Sequence, residues 1–240
     1  MAFLQEQQPV RQPAIRAPAV VVWLLVVLAA AHAARVYAGA KTAGDILINF
    51  AFIPARYSPH FLAAHGIDPG SLTERIVPFF SYVFLHGDFG HLAINSLWLL
   101  ACGPIVARRF GAALFLLFFF VCAVAAAAVH LAFNWESVSP VIGASGAVSG
   151  LMATSIRLLT ARSEPVSRLS PILSPQVLTF TAVWLIVNII GGMTGIGAGP
   201  GVHLIAWQAH IGGYFAGLIL AGPFDNFRRR RLERFPTAPK

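Results

Sequence analysis

The sequence predicts an all-α polytopic membrane protein: a bundle of six transmembrane helices with a long interfacial loop after the first. Three observations carry that prediction. Of the 240 residues, 57% are hydrophobic and only 11% are charged, against about 25% charged in a soluble domain. Mean hydropathy is +0.72. Apolar stretches recur along the chain at lengths near the ~20 residues that cross a bilayer. One compact membrane domain, residues 19–222, accounts for the length, preceded by a short segment, 1–18, and followed by a basic tail, 223–240.

The first span is Ala19–Ala38, too long for a signal-peptide core and without a convincing cleavage site after it. Residues 39–80 follow, with an apolar patch at Ile46–Ile53 and prolines at 54, 59, 69 and 78. That stretch is too broken to span and reads as an interfacial loop with short amphipathic helices. The second span is Leu85–Ala107 and the third Ala112–Phe133. The fourth, Ser145–Thr160, is short and carries Arg157 near its end. The fifth is Gln176–Gly192. A glycine-rich stretch, Gly191–Gly201, leads to the sixth, His203–Gly222.

Six spans put both termini on one side, and basic residues choose the side. Thirteen Lys/Arg fall in the segments expected inside and four outside: Arg35, Lys41, Arg56 and Arg75. Positive charge concentrates in cytoplasmic loops, so both termini are expected in the cytoplasm. The net charge of +8 is thus explained by topology. The Arg228–Arg231 run reads as a stop-transfer and lipid-headgroup anchor, not as a nucleic-acid contact.

Composition also excludes mechanisms. No acidic residue lies in the middle of a candidate span; Asp88 comes closest, at the edge of the second. An intramembrane aspartyl protease needs two buried carboxylates, and proton-coupled transport usually needs at least one. No His-Glu-x-x-His occurs, so a zincin is excluded. Cys102 and Cys122 lie in apolar stretches and act as small hydrophobes, with no disulfide framework. A channel or transporter would need a charged or repeated midplane site, and neither is seen.

Polar residues inside spans are costly and mark function. Ser145 opens the fourth helix, where free N–H groups and the helix dipole favour a developing oxyanion. The short length of that helix fits a start below the membrane surface, which would put Ser145 in a recessed, wettable cavity. His210 lies in the sixth span, with Gly213 and Gly217 on its face. Gly146 and Gly150 form a second small-residue pair beside Ser145. Small residues let helices approach closely in lipid, which would bring His210 to Ser145 as its general base. Without a carboxylate, this is a Ser-His dyad. His91 and Asn95, at i and i+4 on the second helix, share a face and can both donate to an oxyanion. His86 stands nearer the interface, off that face. His130 and Asn134, at the end of the third helix, read as interfacial. Asn188, Trp184 and Gln208 read as helix–helix hydrogen bonding and interfacial anchoring. Phe115–Phe120 reads as lipid-facing or core.

His-x4-His-x3-Asn, then Gly-x-Ser-Gly at a helix start, then His followed by two spaced glycines resembles the rhomboid intramembrane serine proteases over residues 75–222. The resemblance implies Ser145 as nucleophile, His210 as base, and His91 and Asn95 with the Ser145 N–H as the oxyanion site. It implies support from His86, Gly143, Gly146, Gly213 and Gly217. The loop at 39–80 matches the family's half-submerged first loop, and 191–201 its active-site cap. Two departures stand out. Glu74-Arg75 replaces the Trp-Arg of the first loop, and Ser149 occupies the position of the aromatic that many relatives stack on the catalytic histidine. Tyr214, Phe215 or another ring would take over that stacking, or His210 is held by packing alone.

The expected activity is a serine endopeptidase that cuts single-pass transmembrane substrates, with no metal or cofactor, in a bacterial inner membrane. The short N-terminal segment, without a transit peptide, suggests that setting. The alternative is a non-catalytic chaperone or binding module for transmembrane helices on the same fold. Oligomeric state is not legible.

Overall fold

A computed structural model describes residues 17–161, 169–194 and 206–234. The chain is an all-α membrane bundle. Its elements are α1 (Ala19–Tyr37), α2 (Ala40–Phe50), α3 (Pro59–Ala64), α4 (Leu72–Ile76), α5 (Pro78–Ser81), α6 (Phe89–Phe110), α7 (Ala112–Phe133), α8 (Ser145–Leu159), α9 (Pro175–Thr194) and α10 (Trp207–Arg234). Short 3₁₀ turns lie at Pro54–Tyr57 and Tyr82–Phe84. Among the described residues, α1, α6, α7 and α9 are long and apolar enough to cross a membrane. The fourth and sixth expected spans, α8 and α10, do not reach that standard. α8 has only 15 residues, and α10 turns polar after Gly222.

α8 is the centre of the bundle. Every residue from Gly146 to Ser155 is buried, and α6, α7 and α10 pack around it. Its contact with α10 is made by backbone against backbone. A Cβ at Gly213 would fall on the Gly146 carbonyl oxygen, and one at Gly217 on the Gly150 carbonyl oxygen. Thr154 Oγ1 then donates across the same seam to Gly217 O at 3.2 Å. Glycine at these four positions removes the side chains that would separate the helices. The Phe115–Phe120 run divides as periodicity requires: Phe115, Phe118 and Phe119 are fully buried. Cys102 and Cys122 are buried free thiols.

α6 begins later than the apolar stretch suggested. Asp88 caps it by accepting the His91 N–H at 2.8 Å, so Leu85–Gly87 precede the helix and His86 sits in that connection. Gly111 (φ +78°) makes the sharp turn into α7, a conformation glycine adopts without a Cβ penalty. The sixth helix starts at Trp207 and runs on without a break to Arg234. Residues 223–234, expected as a tail, are therefore helical. Arg109 on α6 anchors them, donating from Nε and Nη2 to the Asp225 carboxylate at 2.5 and 2.8 Å. Arg157 is 7% exposed and binds that same end, donating to Leu218 O at 2.6 Å and Ser170 O at 2.9 Å. The expected cap 191–201 begins as the last turn of α9; residues 195–201 lie outside the described residues.

The first loop is a string of short helices, as its broken hydropathy predicted. Pro54, Pro59 and Pro78 each stand in a first turn, where the missing N–H costs nothing. Glu74, which replaces the tryptophan of the resemblance, completes a capping box with Ser71. The neighbouring Arg75 carbonyl accepts from Tyr57 at 2.8 Å. Phe52 exchanges two backbone bonds with Val141 (3.1 and 2.8 Å) and packs its ring against Tyr57, Phe79 and Tyr82. The loop is thereby tied to the segment that leads into Ser145.

Candidate active site

The C-terminal ends of α1, α7 and α9 meet the N-terminal ends of α6, α8 and α10 at one end of the bundle, and the singled-out residues gather there. Ser145 is the first residue of α8, with Ala144 as the preceding cap position. The first N–H groups of a helix have no intrahelical acceptor, so those at Ser145 and beyond are free to bind an anion. The close α8–α10 seam sets the next contact. His210 Nε2 lies 2.8 Å from Ser145 Oγ. Both side chains are partly exposed, so the pair is reachable from this end.

Gly143 turns the chain into α8 with φ +108°, and its N–H donates to Tyr82 O at 3.0 Å. A Cβ built there would stand 2.7 Å from His91 Nε2 and 3.8 Å from Asn95 Nδ2. Both α6 donors therefore converge on backbone two residues before Ser145. The Gly87 N–H points at His91 Nδ1 (3.4 Å), which leaves the proton on Nε2 and makes that atom a donor toward Gly143. Asn95 is buried and uses one amide hydrogen on His91 O at 2.9 Å; the amide has a second to give.

Other polar residues lie beside this cluster. His86 is fully buried. Its ring meets His91 edge-on at 5.1 Å and His32 of α1 at 6.3 Å, while Arg35 grips its carbonyl at 2.6 Å. It therefore backs His91 from behind. His32, a buried residue of the first span, was not singled out; its only signal was being a histidine in apolar sequence. His130 is buried, with Asn134 donating to its carbonyl at 2.9 Å and Gln208 bonding its side chain.

No aromatic ring stacks on His210 among the described residues. Ser149 donates to Ser145 O at 2.8 Å. The Tyr214 ring lies flat on Trp184 instead, at 4.1 Å and 16°, and its hydroxyl pairs with Thr181 at 2.8 Å. His210 Nδ1 meets Asn188 Oδ1 of α9 at 2.8 Å. That contact is the helix–helix hydrogen bond expected of Asn188, but its partner is the site histidine itself.

Together these features define a class: an α-helical integral membrane protein holding a serine–histidine pair at a helix N-terminus, beside converging side-chain donors. The family model of the Rhomboid domain matches residues 73–224, more than half of the chain and all of this constellation. The chain belongs to the rhomboid family. No curated protein matches it.

Proposed function

We propose that this chain is an intramembrane serine endopeptidase. The observation that carries the reading is the 2.8 Å contact between Ser145 Oγ and His210 Nε2 at the start of α8. A serine is a weak nucleophile until a neighbouring base takes its proton. In this reading all six long helices (α1, α6, α7, α8, α9 and α10) traverse the bilayer, with α8 and α10 shielded by the others. Both termini face the cytoplasm of a bacterial inner membrane, which puts the Ser145 end toward the outer face, where water is at hand.

Ser145 Oγ attacks the carbonyl carbon of the scissile peptide while His210 Nε2 takes the Oγ proton. The oxygen that becomes negative is held by His91 Nε2–H, Asn95 Nδ2–H and the Ser145 backbone N–H. The tetrahedral species collapses, the C–N bond breaks, and His210 gives its proton to the departing amine. Water then attacks the ester carbonyl, with His210 again the base, and Ser145 recovers its proton. Substrates are single-pass helices whose outer end unwinds readily, because cleavage needs an extended backbone with unpaired amides. Glycine, proline or small residues near the bond favour this.

A fluorophosphonate tests the reading. Attack by Ser145 Oγ would form an O–P bond, release fluoride and pass the proton to His210. Intact-mass measurement of the detergent-purified chain is expected to show one adduct, absent from Ser145→Ala and His210→Ala. Folded wild-type protein that takes up no label would overturn the reading and favour a binding module.

A further inference from the structure

We infer that Asn188 is a positioning residue that fixes the tautomer and orientation of His210; this rests on the protease reading above. A neutral imidazole carries one N–H, and a general base must leave Nε2 free to accept the serine proton. The proton must therefore sit on Nδ1, and something must hold it there. Asn188 Oδ1 faces Nδ1 at 2.8 Å, and a carbonyl oxygen can only accept. The amide is itself fixed, since Asn188 Nδ2 donates to Trp184 O at 3.1 Å, one turn back on α9. Flipping the amide would break that bond and set an N–H donor against Nδ1. The imidazole would then carry its proton on Nε2 and point it at Ser145, where it cannot act as a base.

The chain Trp184 O, Asn188, His210, Ser145 thus has donors and acceptors in a single consistent order. It also accounts for Ser149. With no ring stacked on His210 among the described residues, α9 supplies a restraint on the histidine. Thr181, Trp184, Asn188 and Gly192 recur every three to four residues on α9 and meet Tyr214, Tyr214, His210 and Trp207 of α10. The face that fixes Asn188 is therefore built along about three turns. The amide carries no charge, so it orients the imidazolium that forms without neutralising it. Among the described residues, the ionisable groups near enough to act on His210 are His91 on α6 and His130 on α7.

The test is the second-order rate of fluorophosphonate labelling of the full chain across pH, for wild type, Asn188→Ala and Asn188→Asp, each verified as monodisperse. General-base help is typically worth about 10²–10⁴-fold, so losing the base's orientation in Asn188→Ala is expected to slow labelling by at least about tenfold. Asn188→Asp keeps the acceptor and adds a negative charge. It should restore labelling and move the acid limb of the profile to higher pH, because the charge favours protonated His210. A purely structural role would move protein yield or melting temperature but not that limb. Wild-type rates in folded Asn188→Ala would overturn the inference, as would an unshifted acid limb in Asn188→Asp; the latter decides the matter if Asn188→Ala fails to fold. Unlabelled wild type would instead sink the protease reading itself.

Discussion

Gly143 shows how narrowly the site is drawn at the scale of single residues. Its φ of +108° is unfavourable for any residue with a Cβ, and that Cβ would press on His91 at 2.7 Å. Gly143→Ala is accordingly expected to abolish fluorophosphonate labelling even where the protein still folds, measured against wild type at equal monomer concentration. In the proposed mechanism, Asn95→Ala and His91→Ala each remove one donor to the oxyanion. Each should slow turnover by about 10²–10³-fold while leaving the melting temperature within a few degrees. Ser145, His210, His91 and Asn95 were legible because their types and spacing form a pattern in the sequence alone. Asn188 was legible only as a polar residue in a span. Its partner is fixed by the docking of α9 on α10, which no local spacing encodes. The burial of His86 was not legible, because hydropathy sees the start of an apolar stretch and not the α1 side chains that close over it.

Helix packing carries the next level of control. The α8–α10 seam has no room for a methyl group at Gly213 or Gly217, so either change to alanine must push the helices apart. Overpacking of this kind costs about 1–3 kcal/mol, and the larger effect should be on labelling, since Ser145 and His210 stand on opposite sides of that seam. At the other end of the bundle, Asp225→Ala would leave Arg109 without its carboxylate. Arg109 is partly exposed and can rehydrate, so the loss is expected to be about 1.5–3 kcal/mol, to be read from unfolding in mild detergent. Long apolar helices were legible from hydropathy. The extension of α10 to Arg234 was not, because the polarity that ends an apolar span does not end a helix. Arginine, leucine and glutamate are good helix formers, and the Arg109–Asp225 pair, 116 residues apart in sequence, fastens the extension to α6. The first loop has a comparable fastening outside the spans. Glu136 accepts from Ser58 at 3.0 Å and meets His60 at 3.0 Å, and these bonds, His60 first, hold its carboxyl below the ordinary carboxylate value. With the folded value lowered, the restraint is complete above the ordinary carboxylate range and is lost as pH falls through the lowered value. Proteolysis of the α3 region should therefore accelerate only in that acid window, and Glu136→Gln should abolish the acid step.

On the scale of the whole molecule, charge and chemistry are segregated. Ser145, His210, His91, Asn95 and Asn188 gather at one end, and Arg109, Arg157 and the Arg228–Arg231 run lie toward the other. The proposed orientation places the basic end in the cytoplasm. A tag after residue 240 should then be protected from a protease added outside intact cells and digested once the cells are lysed. The bundle also explains why a polar site can exist in so apolar a chain. α6, α7 and α10 surround α8, so its polar start is enclosed by protein rather than lipid.

The central claim is that this arrangement cuts peptide bonds in transmembrane segments. The most direct test is cleavage in proteoliposomes of a single-pass reporter with glycine and small residues at the outer end of its helix, by wild type, Ser145→Ala and His210→Ala. The account predicts a discrete cut near that end by wild type and none by either variant. An intact reporter that co-purifies equally with wild type and Ser145→Ala would contradict it, and would make the chain a binder of transmembrane helices rather than a protease.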